Sequence, residues 1–290
     1  MAKIMDGVEV AKKIYGGIEI SLNEARKSGY EGKPKLVILM VWNNPSSEIY
    51  VQQKIKACKE LGFDCEVQHF QENEMKSTAD LITKVMELNE DIMVNGIIVQ
   101  MPLPSFIDKN MVIATVNPRK DVDGLSPVNI GKTFLGVEFE YLTPCTATGV
   151  VRMLEFYGVD LIGKKVVVVG SGIVAGRPIA MMLSNRRATV TVCNSKTTNL
   201  ADYTFDADIV VVAVGVAGLL KASMVKKGVV IVDVGISKDG TGKLHGDVDF
   251  EGVSEVAKLI SPVPGGVGKL TVACLMENLV KAAIDQWNNK

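Results

Sequence analysis

The strongest constraint on this chain is a run of four valines that leads directly into a glycine-rich turn. The segment KKVVVVGSGIVAGRPIA, residues 164–180, has the pattern of an apolar strand (165–170), a tight turn and the start of a helix. A short strand that is apolar at every position is typical of a parallel sheet covered by helices on both faces. Further strands are predicted at 189–194, 209–214 and 229–234. The second half therefore predicts a doubly wound α/β domain.

The first half of the chain repeats this alternation. Helices are predicted at 6–29, 46–62 and 77–89, and strands at 35–41, 63–70 and 96–101. Proline and glycine then punctuate residues 102–148. We expect irregular loops there, which line a site and join two domains. A helix at 148–158 leads into the second half, and an amphipathic helix extends to about residue 287.

Composition and charge exclude several classes of function. The 32 basic and 33 acidic side chains leave a formal net charge of -1, so no nucleic-acid or membrane partner is expected, and the substrate should be small. The N-terminus lacks the apolar run of a signal peptide, and no apolar stretch is long enough to cross a bilayer. The five cysteines form no CxxC pair and are interpreted as reduced thiols of a cytoplasmic protein.

Histidine is too scarce for the commonest catalytic and metal sites. The two histidines, His69 and His245, have no metal-ligating partner at a useful spacing, and no metal is expected. Acid–base chemistry in this chain must therefore use Lys, Tyr, Asp, Glu or Gln.

The glycine turn predicts a dinucleotide site. Gly170, Gly172 and Ala175 match the pattern G-x-G-x-x-A. In that pattern the glycines let the backbone turn tightly and approach a pyrophosphate at the helix N-terminus. A purely structural turn is the alternative, but the strand before the turn and the βαβ pattern around it favour the dinucleotide.

The end of the next strand favours NADP over NAD. An NAD site usually has an Asp or Glu there for the ribose hydroxyls, whereas this strand ends in Cys193-Asn194-Ser195-Lys196. Ser195 and Lys196 are suited to hold a 2′-phosphate. The alternative is that Lys196 is only a solvated loop charge.

Three polar residues in the first half share one helix face. Ser47, Tyr50 and Lys54 stand at i, i+3 and i+7, so consecutive members lie roughly 5–6 Å apart on a helix. Lys54 becomes a usable acid or base if burial lowers its pKa. A solvated helix face is the alternative interpretation.

Two further polar features belong to the same predicted domain. Gln100 ends a predicted strand, at the sheet edge where parallel sheets expose their ligands. Asp121 and Asp123 precede a glycine turn, and an Asx-turn role can explain either of them. A carboxylate that faces a lysine and a glutamine is suited to hold the N–H groups of a heterocycle.

Five segments in this order closely resemble the bifunctional methylenetetrahydrofolate dehydrogenase/cyclohydrolase family: NPSSEIYVQQK, GIIVQMPLP, KDVDGLSPVNIG, TPCTATG and SPVPGGVG. The resemblance extends from Gly7 to the last helix. It implies transfer of hydride from methylenetetrahydrofolate to NADP⁺, then hydrolysis of the methenyl product to 10-formyltetrahydrofolate. It also implies a role in one-carbon metabolism and purine biosynthesis, and a homodimer formed through the dinucleotide domains.

The resemblance assigns roles to the polar residues. Lys54 would assist water attack and proton transfer, and Gln100 would hold and tune it. Asp123 would bind the pterin edge, Tyr50 would stack on the folate, and Ser47 would support the pair. Further expected folate contacts are Pro264, Gly265 and Gly266. Expected cofactor contacts are Thr146, Gly170, Ser171, Gly172, Ile173, Val174, Ser195, Lys196, Gly215 and Ile236.

The resulting fold class is α/β with two domains and a cleft between them. Residues 1–146, completed by a C-terminal helix at 270–290, are expected to form a parallel-sheet catalytic domain that binds folate. Residues 147–269 are expected to form a Rossmann-like NAD(P)-binding domain.

Several positions depart from the family pattern. Ser171 replaces an arginine that commonly meets the 2′-phosphate, Asn194 stands where histidine or arginine is common, and Trp42 replaces a glycine at the expected folate entrance. Other departures are Ala217, Lys269 and Leu270. The open alternatives are a shikimate- or amino-acid-type dehydrogenase, a monofunctional dehydrogenase, and a non-catalytic dinucleotide-binding sensor.

Overall fold

The structure is a computed structural model, and it describes residues 1–42, 45–71, 74–238 and 244–289, with the backbone only at 45–47, 138 and 238. Its strands are β1 (Lys3–Ile4), β2 (Lys35–Val41), β3 (Asp64–Phe70), β4 (Gly96–Val99), β5 (Lys165–Val169), β6 (Thr189–Cys193), β7 (Ile209–Val212), β8 (Val230–Asp233), β9 (Ser237–Lys238), β10 (Leu244–His245) and β11 (Leu259–Ile260). Its α-helices are α1 (Gly7–Lys27), α2 (Pro45–Leu61), α3 (Thr78–Glu90), α4 (Lys109–Thr115), α5 (Pro127–Leu135), α6 (Cys145–Phe156), α7 (Gly176–Asn185), α8 (Ala201–Thr204), α9 (Phe250–Ser254) and α10 (Val267–Asn288). None of the helices in these ranges has the length and apolar character needed to cross a membrane.

The chain divides into two compact units. The six-stranded unit comprises Met1–Lys13, Thr133–Phe139 and Pro144–Thr271. The three-stranded unit comprises Ile14–Lys132, Glu140–Thr143 and Val272–Lys290. The division differs from the expected domains mainly in two segments, 1–13 and 133–139, which belong to the six-stranded unit.

The three-stranded unit is built on a parallel sheet with the order β3-β2-β4. Strand β2, KLVILMV, is buried at every position after its first, because both faces of this central strand are covered. Helix α3 packs Leu81, Val85 and Leu88 into the same core. Ser77 begins that helix with a capping box, since its hydroxyl accepts from the Asp80 amide and the Asp80 carboxylate accepts from the Ser77 amide.

A buried lysine closes the other end of α3. Lys120 is 7% exposed, and its Nζ donates to the carbonyl oxygens of Leu88, Asn89 and Asp91 at 2.9, 2.7 and 2.7 Å. These carbonyls belong to the end of the helix, where backbone acceptors lack intrahelical partners. Burial lowers the pKa of Lys120 from its ordinary value. The ammonium therefore serves as a helix C-cap.

The six-stranded unit contains a parallel sheet with the order β1-β11-β8-β7-β5-β6. Its core is a cluster of small aliphatic side chains that includes Val167, Val210 and Ile231. From β5 the chain moves to β6 on one side, and then returns to β7 and β8 on the other side. The order therefore reverses between β5 and β7, and open α/β sheets bind ligands outside the carboxyl ends of the strands at such a point.

The α/β class and the parallel sheets are confirmed, but the expectation of loops throughout 102–148 is wrong. This segment holds α4, α5, a 3₁₀ helix at Val137–Phe139 and the start of α6. Asp108 caps α4 by accepting from the amides of Asn110 and Met111. Pro127 occupies the first position of α5, where its missing N–H costs nothing. Residues that suggested loops thus mark helix starts.

Candidate active site

The structure brings the predicted lysine and glutamine together. Lys54 lies on α2, and its Nζ donates to the Gln100 Oε1 at 2.9 Å. Gln100 follows β4 at the carboxyl edge of the three-stranded sheet, where its amide donates to the Leu39 carbonyl. Its side-chain nitrogen donates to the Met101 carbonyl at 2.8 Å, which fixes the carboxamide with its oxygen toward Lys54. Both side chains are part-buried.

The rest of the predicted helix face is only partly described. Tyr50 lies one turn before Lys54 and is half-buried, and this burial raises the pKa of its hydroxyl. The side chain of Ser47 lies outside the described residues. The helix therefore presents an aromatic ring and an ammonium in succession, as its spacing predicts.

The two neighbouring aspartates have different roles. Asp121 is buried, and its Oδ1 accepts from the amides of Gly124 and Leu125 while its Oδ2 accepts from the Ser126 amide and the Asn129 side chain. The Asx-turn role that the sequence left open thus belongs to Asp121.

Asp123 belongs to the same segment as Asp121, but it lies at the edge of the three-stranded sheet. A parallel bridge between Ile97 and Asp121 sets this segment beside β4, so Asp123 lies at the same carboxyl edge as Gln100. Asp123 is only half-buried. Its position therefore suits a carboxylate that meets a ligand.

Trp42 occupies a position whose backbone favours glycine. It follows β2 with a φ of 65°, in the left-handed region that non-glycine residues rarely adopt. Its ring packs against Phe106, with the centroids 5.6 Å apart. A glycine, which the resemblance leads us to expect here, would adopt this angle freely, whereas Trp42 adopts it at a cost in strain.

The SPVPGGVG segment forms a close turn before α10. Gly265 has a φ of 108°, and its carbonyl accepts from the Gly7 amide at 2.9 Å. A Cβ on Gly266 would lie 2.5 Å from the Pro262 carbonyl oxygen. The two glycines are thus required by the backbone itself, and contact of Pro264, Gly265 and Gly266 with folate stays a prediction.

The turn after β5 has the geometry of a dinucleotide turn, with one correction to its motif. Gly170 has a φ of 121°, and a Cβ there would lie 2.3 Å from the Ala213 carbonyl oxygen. Around Gly172 the space is open, as a backbone that meets a pyrophosphate requires. The third position is Gly176 rather than Ala175, because a Cβ on Gly176 would lie 2.0 Å from the Gly170 carbonyl oxygen.

The helix after this turn suits an anion. Helix α7 begins at Gly176, and its N-cap residue Ala175 supplies no side-chain hydrogen bond. The Arg177 amide donates to the Gly172 carbonyl and Pro178 has no N–H, so the Gly176 amide is the group of this first turn that suits a phosphate oxygen. Ser171, Ile173 and Val174 line the intervening turn. These features fit a bound dinucleotide.

The other predicted cofactor residues lie in the same unit. Ser195 and Lys196 follow β6 and are exposed, and the Lys196 amide donates to the Asn194 side chain at 2.9 Å. Thr146 lies in the first turn of α6 and accepts from the Thr271 hydroxyl at 3.4 Å. Gly215 follows β7 with a φ of 72°, and Ile236 follows β8.

Sequence reasoning missed a pair of buried aspartates beside these last two residues. Asp233 ends β8, and its carboxylate accepts from the amides of Asp247 and Val248 at 3.0 Å each. Burial raises the pKa of Asp233 to about 7, and the nearby charge of Asp247 adds to the increase. The signal in the sequence was a glycine two residues after Asp233 and another just before Asp247. A Cβ on either Gly235 or Gly246 would overlap the opposite carboxylate.

Fold and site together define a two-unit α/β protein. One unit has a Lys–Gln–Asp edge, and the other has the switch point and glycine turn of a dinucleotide-binding sheet. Residues 5–123 match the family model of the tetrahydrofolate dehydrogenase/cyclohydrolase catalytic domain, and residues 144–287 match that of its NAD(P)-binding domain. The chain belongs to the tetrahydrofolate dehydrogenase/cyclohydrolase family.

Individual relatives resemble the chain over almost its full length. The bifunctional protein FolD of Campylobacter jejuni subsp. jejuni serotype O:23/36 is 43% identical over 285 residues, covering 98% of this chain and 99% of the relative. A crystal structure of the Campylobacter jejuni bifunctional enzyme FolD superposes with a TM-score of 0.92 at 42% identity, covering 98% of this chain and 99% of that one. The Trypanosoma brucei enzyme, complexed with NADP cofactor and inhibitor, gives a TM-score of 0.89 at 37% identity, covering 97% of each chain.

Proposed function

We propose that this protein oxidises 5,10-methylenetetrahydrofolate to 5,10-methenyltetrahydrofolate with NADP⁺ and hydrolyses the methenyl form to 10-formyltetrahydrofolate. The observation that carries the proposal is the hydrogen bond from Lys54 to Gln100 at the carboxyl edge of the three-stranded sheet. Family membership supports the substrate, and the glycine turn after β5 supports the cofactor.

The hydrolytic step matches what these residues can supply. The methenyl carbon is already a strong electrophile, so its hydrolysis needs a positioned water and a group that assists proton transfer rather than a metal. Gln100 holds the Nζ of Lys54 at the sheet edge through a hydrogen bond of 2.9 Å. Lys54 orients the attacking water and helps to move its proton.

Substrate orientation falls to the neighbouring residues. Asp123, at the same edge as Gln100, accepts hydrogen bonds from the polar edge of the pterin. Tyr50 stacks on the folate ring and Ser47 supports the helix face. Pro264, Gly265 and Gly266 add contacts from their turn. Hydride transfer needs orientation more than acid–base help, because the chemistry belongs to the cofactor.

The cofactor is proposed to be NADP rather than NAD. When bound, NADP⁺ accepts the hydride. The turn at 170–174 and the Gly176 amide at the N-terminus of α7 hold the pyrophosphate, and Ser195 and Lys196 hold the 2′-phosphate. The remaining contacts are Thr146, Gly215 and Ile236. The end of β6 carries no acidic side chain for a ribose 2′-hydroxyl, which supports the preference.

We also propose a cytoplasmic homodimer that supplies formyl groups for purine biosynthesis. The support for a dimer is an exposed edge: β6 is the last strand of the six-stranded sheet, and Val192 on it is 41% exposed. Light scattering on the purified protein should give twice the mass of the chain.

The variant Lys54→Met tests the chemistry. It keeps the aliphatic stem and removes the ammonium, so we expect methenyl hydrolysis to fall by at least about a hundredfold, while NADP affinity is unchanged. Lys56→Met is the matched control, because Lys56 lies on the same helix, is exposed and only approaches Glu60 at 3.8 Å.

Three outcomes would contradict the proposal. If the Lys54→Met variant hydrolyses the methenyl form at the wild-type rate, Lys54 has no role in hydrolysis. Wild-type protein that binds NADP but reduces it with neither methylenetetrahydrofolate nor shikimate would be a dinucleotide-binding sensor instead, and turnover of shikimate alone would identify the other dehydrogenase class.

A further inference from the structure

The turn after β7, residues 213–215, forms one side of the switch point in the six-stranded sheet. The turn after β5 forms the other side, and the two turns touch, since a Cβ on Gly170 would lie 2.3 Å from the Ala213 carbonyl oxygen. The shape of the β7 turn therefore sets the width of the region where a dinucleotide binds.

The buried carboxylate of Asp247 fixes the backbone of the β7 turn through hydrogen bonds. The Oδ2 of Asp247 accepts from the amides of Val214 and Gly215 at 2.6 and 3.0 Å. Asp247 is 0% exposed, and no donor in the described part of the chain reaches its Oδ1. Burying a carboxylate with one oxygen that accepts no hydrogen bond costs free energy, so the presence of Asp247 at this position indicates a specific role.

The direction of these two hydrogen bonds determines what the turn offers to a ligand. In a planar trans peptide the N–H and C=O groups point in opposite directions. Because the amides of Val214 and Gly215 point at Asp247, the carbonyls of Ala213 and Val214 point away from it. The Ala213 carbonyl packs against Gly170, so the Val214 carbonyl is the acceptor that the β7 turn presents. A carbonyl oxygen suits the hydroxyl or carboxamide N–H groups of a dinucleotide and repels its phosphates.

Asp247 is itself held by the neighbouring strand. Its backbone amide donates to Asp233 at the end of β8, and the Asp233 amide donates to the hydroxyl of Ser261 just after β11. The chain of contacts joins the carboxyl ends of three strands to one turn. Gly235 allows it, because a Cβ there would lie 1.9 Å from the Asp247 carboxylate.

We infer that Asp247 is a positioning residue for the dinucleotide: its carboxylate fixes the β7 turn with the Val214 carbonyl directed toward hydrogen-bond donors of the cofactor. The inference rests on the proposed cofactor site. It assigns Asp247 no contact with the folate-binding edge, so methenyl hydrolysis, which consumes no dinucleotide, should not depend on Asp247.

The test compares Asp247→Ala, Asp247→Asn and the control Asp249→Ala. Asp249 lies in the same segment, but it caps α9 by accepting from the Gly252 amide. Calorimetry measures the Kd for NADP⁺ directly, and steady-state assays give the KM for NADP⁺ and the rate of methenyl hydrolysis. Thermal unfolding of each variant reports its fold.

We expect Asp247→Ala to raise the Kd and KM for NADP⁺ about tenfold or more, since two amides lose their acceptor. Hydrolysis should stay within about twofold of wild type, and Asp247→Asn, which keeps one acceptor oxygen, should lie between the two. Asp249→Ala should leave the Kd unchanged.

Two results would overturn the inference: an unchanged Kd in Asp247→Ala, or a parallel loss of cofactor binding, hydrolysis and thermal stability, which would mark a purely structural residue. Wild-type protein that binds NADP⁺ without folate turnover would refute the proposed function but leave this inference testable through the Kd.

Discussion

Replacing Lys120 with methionine removes the ammonium that caps α3 while keeping most of the side-chain volume. Three hydrogen bonds of 2.7–2.9 Å from a charged donor are lost, and hydrogen bonds to charged groups contribute roughly 1.5–3 kcal/mol each. The relieved desolvation of the ammonium, whose pKa is lowered by burial, offsets part of this sum. We expect the free energy of unfolding to fall by about 3–5 kcal/mol, because three carbonyl oxygens lose their donor at a cost of roughly 1–3 kcal/mol each.

Tryptophan fluorescence during urea unfolding is suited to this measurement. Both tryptophans of the chain, Trp42 and Trp287, belong to the three-stranded unit, so their emission reports the unit that contains Lys120. Lys56→Met is again the control, because an exposed i,i+4 pair contributes only about 0.2–0.5 kcal/mol. A loss below about 1 kcal/mol in Lys120→Met would refute the capping role, because it would mean that solvent replaces all three bonds.

Two further predictions concern the six-stranded unit. Because burial raises the pKa of Asp233 from 3.8 to about 7, the folded chain holds a proton that the unfolded chain releases, and the free energy of unfolding should fall by up to about 4 kcal/mol as the pH rises from about 4 to about 7. Denaturant unfolding followed by circular dichroism should show this slope, and Asp233→Asn should flatten it; equal slopes would contradict the assignment. Gly176→Ala should abolish NADP binding in calorimetry, because its Cβ would lie 2.0 Å from the Gly170 carbonyl oxygen, whereas Gly172→Ala has open space and should fold normally. Intact binding in Gly176→Ala would show that the turn can shift.

Long apolar strands and ordered motifs made the fold and the family predictable. Strands β2 and β5 are recognisable because each is apolar almost throughout, and both predictions are confirmed. Strands β1 and β11 have two residues each, which is too short for a periodic pattern of apolar residues to be recognised in the sequence. They are identified as strands only by their pairing in the sheet. The helices α4 and α5 were not predicted, because the prolines of this segment suggested loops, although Pro127 is the first residue of α5 and Asp108 caps α4.

Within the site, contacts between residues of recognisable motifs were predictable, and contacts between segments that share no motif were not. The Lys54–Gln100 contact was expected because the family resemblance assigns Gln100 the role of holding Lys54. Which of Asp121 and Asp123 forms the Asx turn could be decided only from the hydrogen bonds that the structure shows in that turn. Asp233 and Asp247 are fourteen residues apart, on segments without a shared pattern, and only the fold brings them together.

The pairing of β1 with β11 governs the order in which this protein can assemble. Lys3 pairs with Leu259 and Ile4 with Ile260, so β1 can join its sheet only after β11 has been synthesised. The three-stranded unit likewise needs residues 272–290. Multidomain chains often fold their N-terminal domain during synthesis, but here neither unit has all its parts until the ribosome has passed residue 259. Cutting the gene between the two sequence-defined domains would leave each fragment without a segment of its own sheet or core, and binding studies on isolated halves would test incomplete proteins.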